Sequence, residues 1–366
     1  MTHLLWAAAV LLLAAIALIV KTILGRSLHL WLGSYLVRNR RRTVTSGPVH
    51  LHFCIGDHYE PYWNKADRET ARRRVREWIR DYERIASAHR DADGRIPKHT
   101  YFYPIEEYDP EILDSLSDHC RRGFGDVEVH LHHDDDTAEN LRSVLSRFVE
   151  TLHRRHGLLR KDEAGRVVYG FIHGNWALDN SRPDGKWCGV NNELTVLRET
   201  GCYADFTLPS APDVTQTRTI NTIYFAQDDP DRPKSHDTGR EAEAGYWDEK
   251  SLLMIQGPLA LNWRSRKLGL LPRIENGELS ADNPATPDRI RLWLDAAVRV
   301  KGAPDHIFIK LYSHGAQEPN AAALLQGGNL DLIWTHLERH YNDGKRFILH
   351  YVTAYEMYCR VRKIAT

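Results

Sequence analysis

Residues 127–136 read V-E-V-H-L-H-H-D-D-D, with three histidines and three aspartates crowded at the end of an alternating apolar run. Period-two alternation puts Val127, Val129 and Leu131 on one face of a strand and Glu128, His130 and His132 on the other. Imidazoles and carboxylates packed this closely need either solvent or a shared cation. The five cysteines (Cys54, Cys120, Cys188, Cys202 and Cys359) are scattered and form no C-x-x-C pair. Neither a disulfide framework nor a thiolate zinc site is therefore expected, and any metal is expected to be held by nitrogen and oxygen. Asp57, His173, Asp205 and His314 add further candidates, each at or just past the end of an expected strand. Each also has a structural reading: Asp57 or Asp205 could cap a turn, and His173 could fill a core position. Asp136, followed by Glu139, reads as the N-cap of the next helix rather than as a ligand.

The elements that must position these residues alternate between strand and helix. Val49–Ile55 alternates as a strand and runs into Gly56-Asp57-His58-Tyr59-Glu60-Pro61. A charged helix over about Asp67–His89 carries the apolar stripe Val75, Trp78, Ile79, Tyr82 and Ile85. Strands are expected at Thr100–Tyr103, Val127–His132, Arg166–Ile172, His306–His314 and Phe347–Val352. Helices are expected at Glu111–Cys120, Ala138–His156, Asn192–Thr200 and Asn329–Tyr341. Thr286 and Pro287 should open another helix, running to Val300, and Thr353 with Glu356 should cap the last. In His306–His314, Lys310, Tyr312 and His314 share a face. Between about 210 and 286 the periodicity is poor, and this stretch reads as an insertion with short strands such as Thr219–Phe225 and Leu252–Gln256. Repeated βα units with polar strand ends imply an α/β barrel whose chemistry sits at the C-terminal ends of its strands.

Composition bounds the partners. Lys plus Arg equals Asp plus Glu, 49 each, so no overall basic field points to nucleic acid. Leu4–Val20 is a continuous apolar run, read as a single-pass transmembrane anchor over residues 1–25. A basic juxtamembrane segment, 26–48, follows. In it Trp31 and Tyr35 suit the headgroup zone, and Arg38, Arg40, Arg41 and Arg42 suit anionic lipid. The basic excess after the span places the main domain, 49–366, on the cytoplasmic face of a cell membrane. Oligomeric state is not legible.

In motif order the chain resembles the polysaccharide deacetylase family of metal-dependent sugar N-deacetylases. Asp57-His58 stands where the family has an Asp pair, and His130 begins the position of its His-x-x-x-His motif. Phe171-Ile172-His173-Gly174 stands where an Arg segment belongs, and Cys202-Tyr203-Ala204-Asp205 where a later Asp belongs. Leu311-Tyr312-Ser313-His314 fits Leu-x-x-His. The resemblance implies a distorted (β/α)7-type barrel with a long insertion. It implies Asp57 as general base and His314 as general acid. It also implies His58, His130 and Asp134 as ligands of a divalent, Zn-like ion. A rival ligand set, reached by strand parity, is Asp57, His130 and His132. His173, Asn175, Trp176 and Asp205 are candidates for substrate binding, with Trp176 stacking on a sugar face.

The expectation is a membrane-anchored, metal-dependent hydrolase that removes an N-acyl group from a polysaccharide or lipid-linked glycan. Two alternatives come from other classes. A glycoside hydrolase would use carboxylates such as Asp57 and Asp205 as its acid–base pair. A non-catalytic descendant would bind glycan without turnover, since His58 and His173 depart from the family's Asp and Arg.

Overall fold

The computed structural model describes residues 2–38, 47–267 and 269–366. The fold is mixed α/β, built on a large, mostly parallel, barrel-like sheet. Its parallel strands are β1 (Val49–His58), β2 (His99–Pro104), β3 (Gly125–Leu131), β4 (Val167–His173), β5 (Cys202–Asp205), β6 (Leu252–Ile255), β7 (His306–Ser313) and β8 (Phe347–Tyr351). The order is β7-β1-β2-β3-β4-β5-β6. One edge of β1 is divided: β8 pairs with Val49–Phe53 and β2 with Gly56–His58. Among the described residues no ladder joins β6 to β7. Instead Lys310 Nζ on β7 donates to Phe206 O just past β5 at 2.7 Å, and Gly257 lies so near that a Cβ there would come within 2.4 Å of Lys310 O.

Strand parity sorts the cores as the alternation requires. Leu51, Phe53, Ile55, Val127, Val129 and Leu131 face the helical layer, whereas Cys54, Phe102, Ile172, Ala204, Phe206 and Phe308 fill the other side. Burying each such side chain contributes about 1.5–3 kcal/mol, which fixes strand register and with it the direction of every polar strand-end residue. The helices begin where local chemistry allows. Asp67 caps Arg68–Ala86 by accepting from Thr70 N at 2.7 Å, and Thr286 precedes Pro287–Ala296. Thr353 and Glu356 close a capping box on Ala354–Ala365. The cap of Ala138–Arg154 is Thr137, not Asp136, because the Asp136 carboxylate is engaged elsewhere. The segment 210–286 is less of an elaboration than its periodicity implied, since Leu252–Ile255 is itself a parallel strand of the main sheet. Ile223–Ala226 runs antiparallel beside it, and Ala260–Lys267 with Leu271–Glu275 forms a separate hairpin.

The N-terminus departs from a simple anchor. Among the described residues no single helix is long and apolar enough to cross a membrane. Val10–Gly25 and Leu28–Arg38, bent by 89°, pass that test only as a pair. The bend falls at Ser27, whose φ is +50°. Leu5, Trp6, Leu11, Leu12, Leu13 and Leu18 of Thr2–Gly25 are exposed. Trp31 does not sit at a headgroup zone: it is fully buried in a small core with Leu28, Ala211, Ile220 and Leu259, and Tyr35 packs against it. Arg38 lies 3.6 Å from Glu241 rather than free for lipid, and Arg40, Arg41 and Arg42 lie outside the described residues.

Candidate functional site

At the C-terminal ends of β1, β3 and β7, His58, His130 and Tyr312 point to the inner side of the sheet, and His132 and His314 follow the strand ends. The His58 ring lies 4.9 Å from His130 and 4.8 Å from His314, centroid to centroid. His132 stands edge-on to His130 at 4.6 Å. Glu60, in the turn after β1, joins them, with its Oε1 3.4 Å from His130 Nε2 and 3.3 Å from His132 Nε2. The ligand atoms of Glu60, His130 and His132 lie within 4.8 Å of one another, as do those of His58, Glu60 and His314. Glu60 therefore belongs to both triplets.

His130 is the best-formed ligand of this group. Its Nδ1 bonds to Ile172 O at 2.8 Å, while its Nε2 is fully buried with no hydrogen-bond partner. With Nδ1 held by a carbonyl, Nε2 faces the cluster, the setting that metal-binding imidazoles adopt. Electrostatics separates its neighbours. Burial, with the charges of His314 and His130, holds His58 well below the usual imidazole range, so it is neutral at pH 7. Burial alone would also depress His132, but hydrogen bonds and charge from Glu106 and Glu60 outweigh it and raise it to about 10. For Glu60, burial is overcome by His130, His132 and His314, which keep its carboxyl far below the carboxylate range. Imidazole nitrogens converging on one ionised carboxylate are a donor set that fits a divalent ion of the zinc class.

A second cluster forms behind the first, where Gly174 lets the chain pass: a Cβ there would come within 2.3 Å of the His132 ring. His133 and His173 meet Nε2 to Nε2 at 2.9 Å, beside Glu193 and Cys188. Burial opposes charge on His133, but Asp136, Cys188 and Glu193 raise it to about 12, whereas burial lowers His173 to about 3. The loop that follows holds Asn175 and Trp176 at φ +58° and +56°. Non-glycine residues in that region cost of order 1–3 kcal/mol each and persist where surrounding structure over-determines them. This turn sets the Trp176 ring 6.1 Å from His58 and 6.5 Å from His314.

Several sequence expectations are corrected. Asp57 is not in the cluster: on β1 it shares parity with Phe53 and Ile55, so its carboxylate enters the helical layer. There it bonds His99 Nε2 and Gly315 N–H, each at 2.7 Å, and is wholly buried. It can act neither as the base nor as the rival ligand. Asp134 also lies apart, accepting from the backbone N–H groups of Trp187 and Asp135 at 2.5 and 3.1 Å. Asp205 is buried and bonded to Thr207 at 2.7 and 3.0 Å, and burial raises it to about 6. Because both aspartates point away from the inner side of the sheet, they do not form a glycosidase acid–base pair there. His173 joins the second cluster rather than a substrate surface.

Of the positions expected from sequence, His58, His130, His132 and His314 are brought together, with Trp176 beside them. Glu60, Glu193 and Cys188 were missed. Glu60 stood in the turn right after His58, where two residues' further reading would have found it. Cys188 and Glu193 gave no local signal. A cavity of about 1810 Å³ lies elsewhere, beside Leu28–Arg38, and contains none of the clustered histidines; convergent chemistry rather than volume locates the site.

No family profile matches the chain, and no curated protein sequence matches it. A solved structure of an alpha-mannosidase from Enterococcus faecalis V583 is similar with a TM-score of 0.45 and 9% identity. The match covers 87% of this chain and 30% of that one. The chain thus spans under a third of the protein it is matched to, and a likeness at this level carries no argument about fold or function.

Proposed function

We propose that the protein is a metal-dependent hydrolase that cleaves an N-acyl bond on a sugar, a divergent relative of the polysaccharide deacetylases with a seven-strand distorted barrel. The observation that carries this reading is His130, whose buried Nε2 has no hydrogen-bond partner and faces Glu60 among three further imidazoles. His130, His132 and Glu60 would hold the ion, which supplies Lewis acidity toward an acyl carbonyl when bound. His58, kept neutral by burial, accepts a proton from the attacking water, the role that Asp57 cannot fill. His314, half-open to solvent, returns a proton to the departing amine, which leaves poorly as an anion. Trp176 offers an apolar ring beside both histidines for a sugar face. The exposed apolar surface of Thr2–Gly25 would keep the protein at a membrane, suiting a polymeric or lipid-linked glycan.

The test is direct. Purified full-length protein, supplied with Zn2+, should retain about one equivalent at this centre and release acetate or formate from an N-acylated glycan, exposing free amines. A His130→Gln variant should lose both. Protein that holds no ion at saturating Zn2+, or that generates new reducing ends instead of amines, would overturn the reading.

A further inference from the structure

Four donors from separate strand ends and loops converge on one point: His133 Nε2, His173 Nε2, the Cys188 sulfur and the Glu193 carboxylate, with one ligand atom of each within 4.8 Å of the others. The two Nε2 atoms are 2.9 Å apart, His133 Nε2 is 3.3 Å from Glu193 Oε1, and the sulfur is 3.3 Å from Glu193 Oε2. His173, Cys188 and Glu193 are fully buried, and only 7% of the His133 side chain is exposed. Glu193 Oε1 is buried without a hydrogen-bond partner while facing both imidazoles.

The outer contacts fix how these groups present themselves. His133 Nδ1 bonds the Asp136 carboxylate at 2.9 Å and His173 Nδ1 bonds the Gly174 carbonyl. Each ring thus engages its Nδ1 outward and turns its Nε2 toward the centre. Two ring nitrogens at that separation beside a carboxylate need a proton or a metal between them. The Cys188 sulfur receives backbone N–H groups from Asn180 at 3.3 Å and Val190 at 3.4 Å. Glu193 Oε2 receives Asp179 N–H at 2.6 Å. Without an ion the Cys188 S–H donates to Glu193 Oε2; with one bound, the backbone donors aimed at sulfur and carboxylate would favour the charged ligands.

We propose that His133, His173, Cys188 and Glu193 form a closed, four-ligand site for a divalent ion of the zinc class, separate from the His130 centre. Two imidazoles, a thiolate and a carboxylate suit that ion, and four protein ligands leave no open position, the mark of a structural rather than a catalytic site. A tetrahedral ion about 2.0–2.1 Å from each nitrogen would spread the two Nε2 atoms to about 3.3 Å, a small outward shift of the rings. The ion pins the segment 174–193 to the ends of β3 and β4. That segment holds Asn175, Trp176, Asp179, Asn180 and Trp187 at φ between +51° and +67°, conformations that need such over-determination. Through it the ion positions Trp176 against His58 and His314. The inference does not rest on deacetylase activity.

Cobalt loading of the full-length, reduced protein tests it. Co2+ bound through Cys188 should give a thiolate-to-cobalt charge-transfer band in the wild type and in His130→Gln, and none in Cys188→Ser. Asp136→Asn should keep the band but weaken the ion's affinity about 10–100-fold. A cobalt-loaded wild type without the thiolate band, or a band that survives Cys188→Ser, overturns the proposal; the first reading needs no variant to fold. Loss of hydrolysis with the band intact would instead count against the His130 centre alone.

Discussion

The two ends of the parallel sheet both gather histidines and treat them in opposite ways. At the C-terminal end His130 and His132 face Glu60, and His133 and His173 face Glu193. At the N-terminal end His50 and His52 of β1, His306 of β7 and His350 of β8 stack on one another, with centroids 4.9–5.2 Å apart for the closest pairs. They hydrogen-bond mostly among themselves: His50 with His350 at 2.8 Å and His52 with His306 at 2.9 Å. The carboxylates near them are Asp305 and, on the His350 side, Asp93, bonded to His350, and Asp91, whose ligand atom lies within 4.8 Å of those two, while Arg360 adds positive charge. Burial and the neighbouring imidazoles therefore lower His52, His50 and His306. Histidines around a carboxylate attract a cation; His50, His52 and His306, packed against other imidazoles, are held toward the neutral form. Residue type is shared, and the charge of the partner decides the chemistry.

The largest expected effect lies at the C-terminal end. His58→Gln should lower kcat on an N-acylated glycan by roughly 10²–10⁴-fold, the usual loss of a general base, while the bound metal content stays unchanged. His52→Phe at the other end should leave kcat alone, so equal losses from the two variants would erase the contrast.

Next comes Asp57→Ala, which probes the helical side of the C-terminal end. It strands Gly315 N–H and His99 Nε2, each worth about 1–3 kcal/mol when left unpaired and buried. Denaturant unfolding should register that loss, while turnover per folded molecule stays within a few-fold. A collapse of kcat in fully folded protein would restore Asp57 to the chemistry.

The pH dependence of stability in metal-free protein should separate His132 at the C-terminal end from His50, His52 and His306 at the other by sign. His132 has its folded pKa raised to about 10, so its contribution is complete below the unfolded value near 6.5 and disappears as pH rises through about 10. His52, His50 and His306 are lowered, so theirs is present above about 6.5 and lost as pH falls below it. Melting temperatures across pH should show both limbs. His132→Gln should flatten the alkaline limb and His52→Phe the acid one; crossed effects would break the comparison.

The smallest effect should be that of Asp134→Ala. Its carboxylate caps two exposed backbone N–H groups, so activity and metal content should hold, with stability within about 0.5 kcal/mol, as for most surface changes. Loss of bound ion would return Asp134 to the ligand set.

Much of this molecule was legible in its letters. Alternation in Val127–Leu131 settles which side His130 faces, and the caps Thr286 and Thr353 with Glu356 mark helix starts, because these are local rules of backbone geometry and hydrogen bonding. The same parity, applied to Leu51, Phe53, Ile55 and Asp57, already points Asp57 toward the helices, against the strand-end position and the motif resemblance that put it among the site candidates. Tertiary structure alone decided the rest. Glu60 reaches His130 because the turn after β1 folds inward. Cys188 and Glu193 meet His133 and His173 because a loop with five left-handed non-glycine residues closes across two strand ends. Parity is carried by neighbouring residues, whereas the convergence of loops depends on long-range packing that no short window of sequence contains.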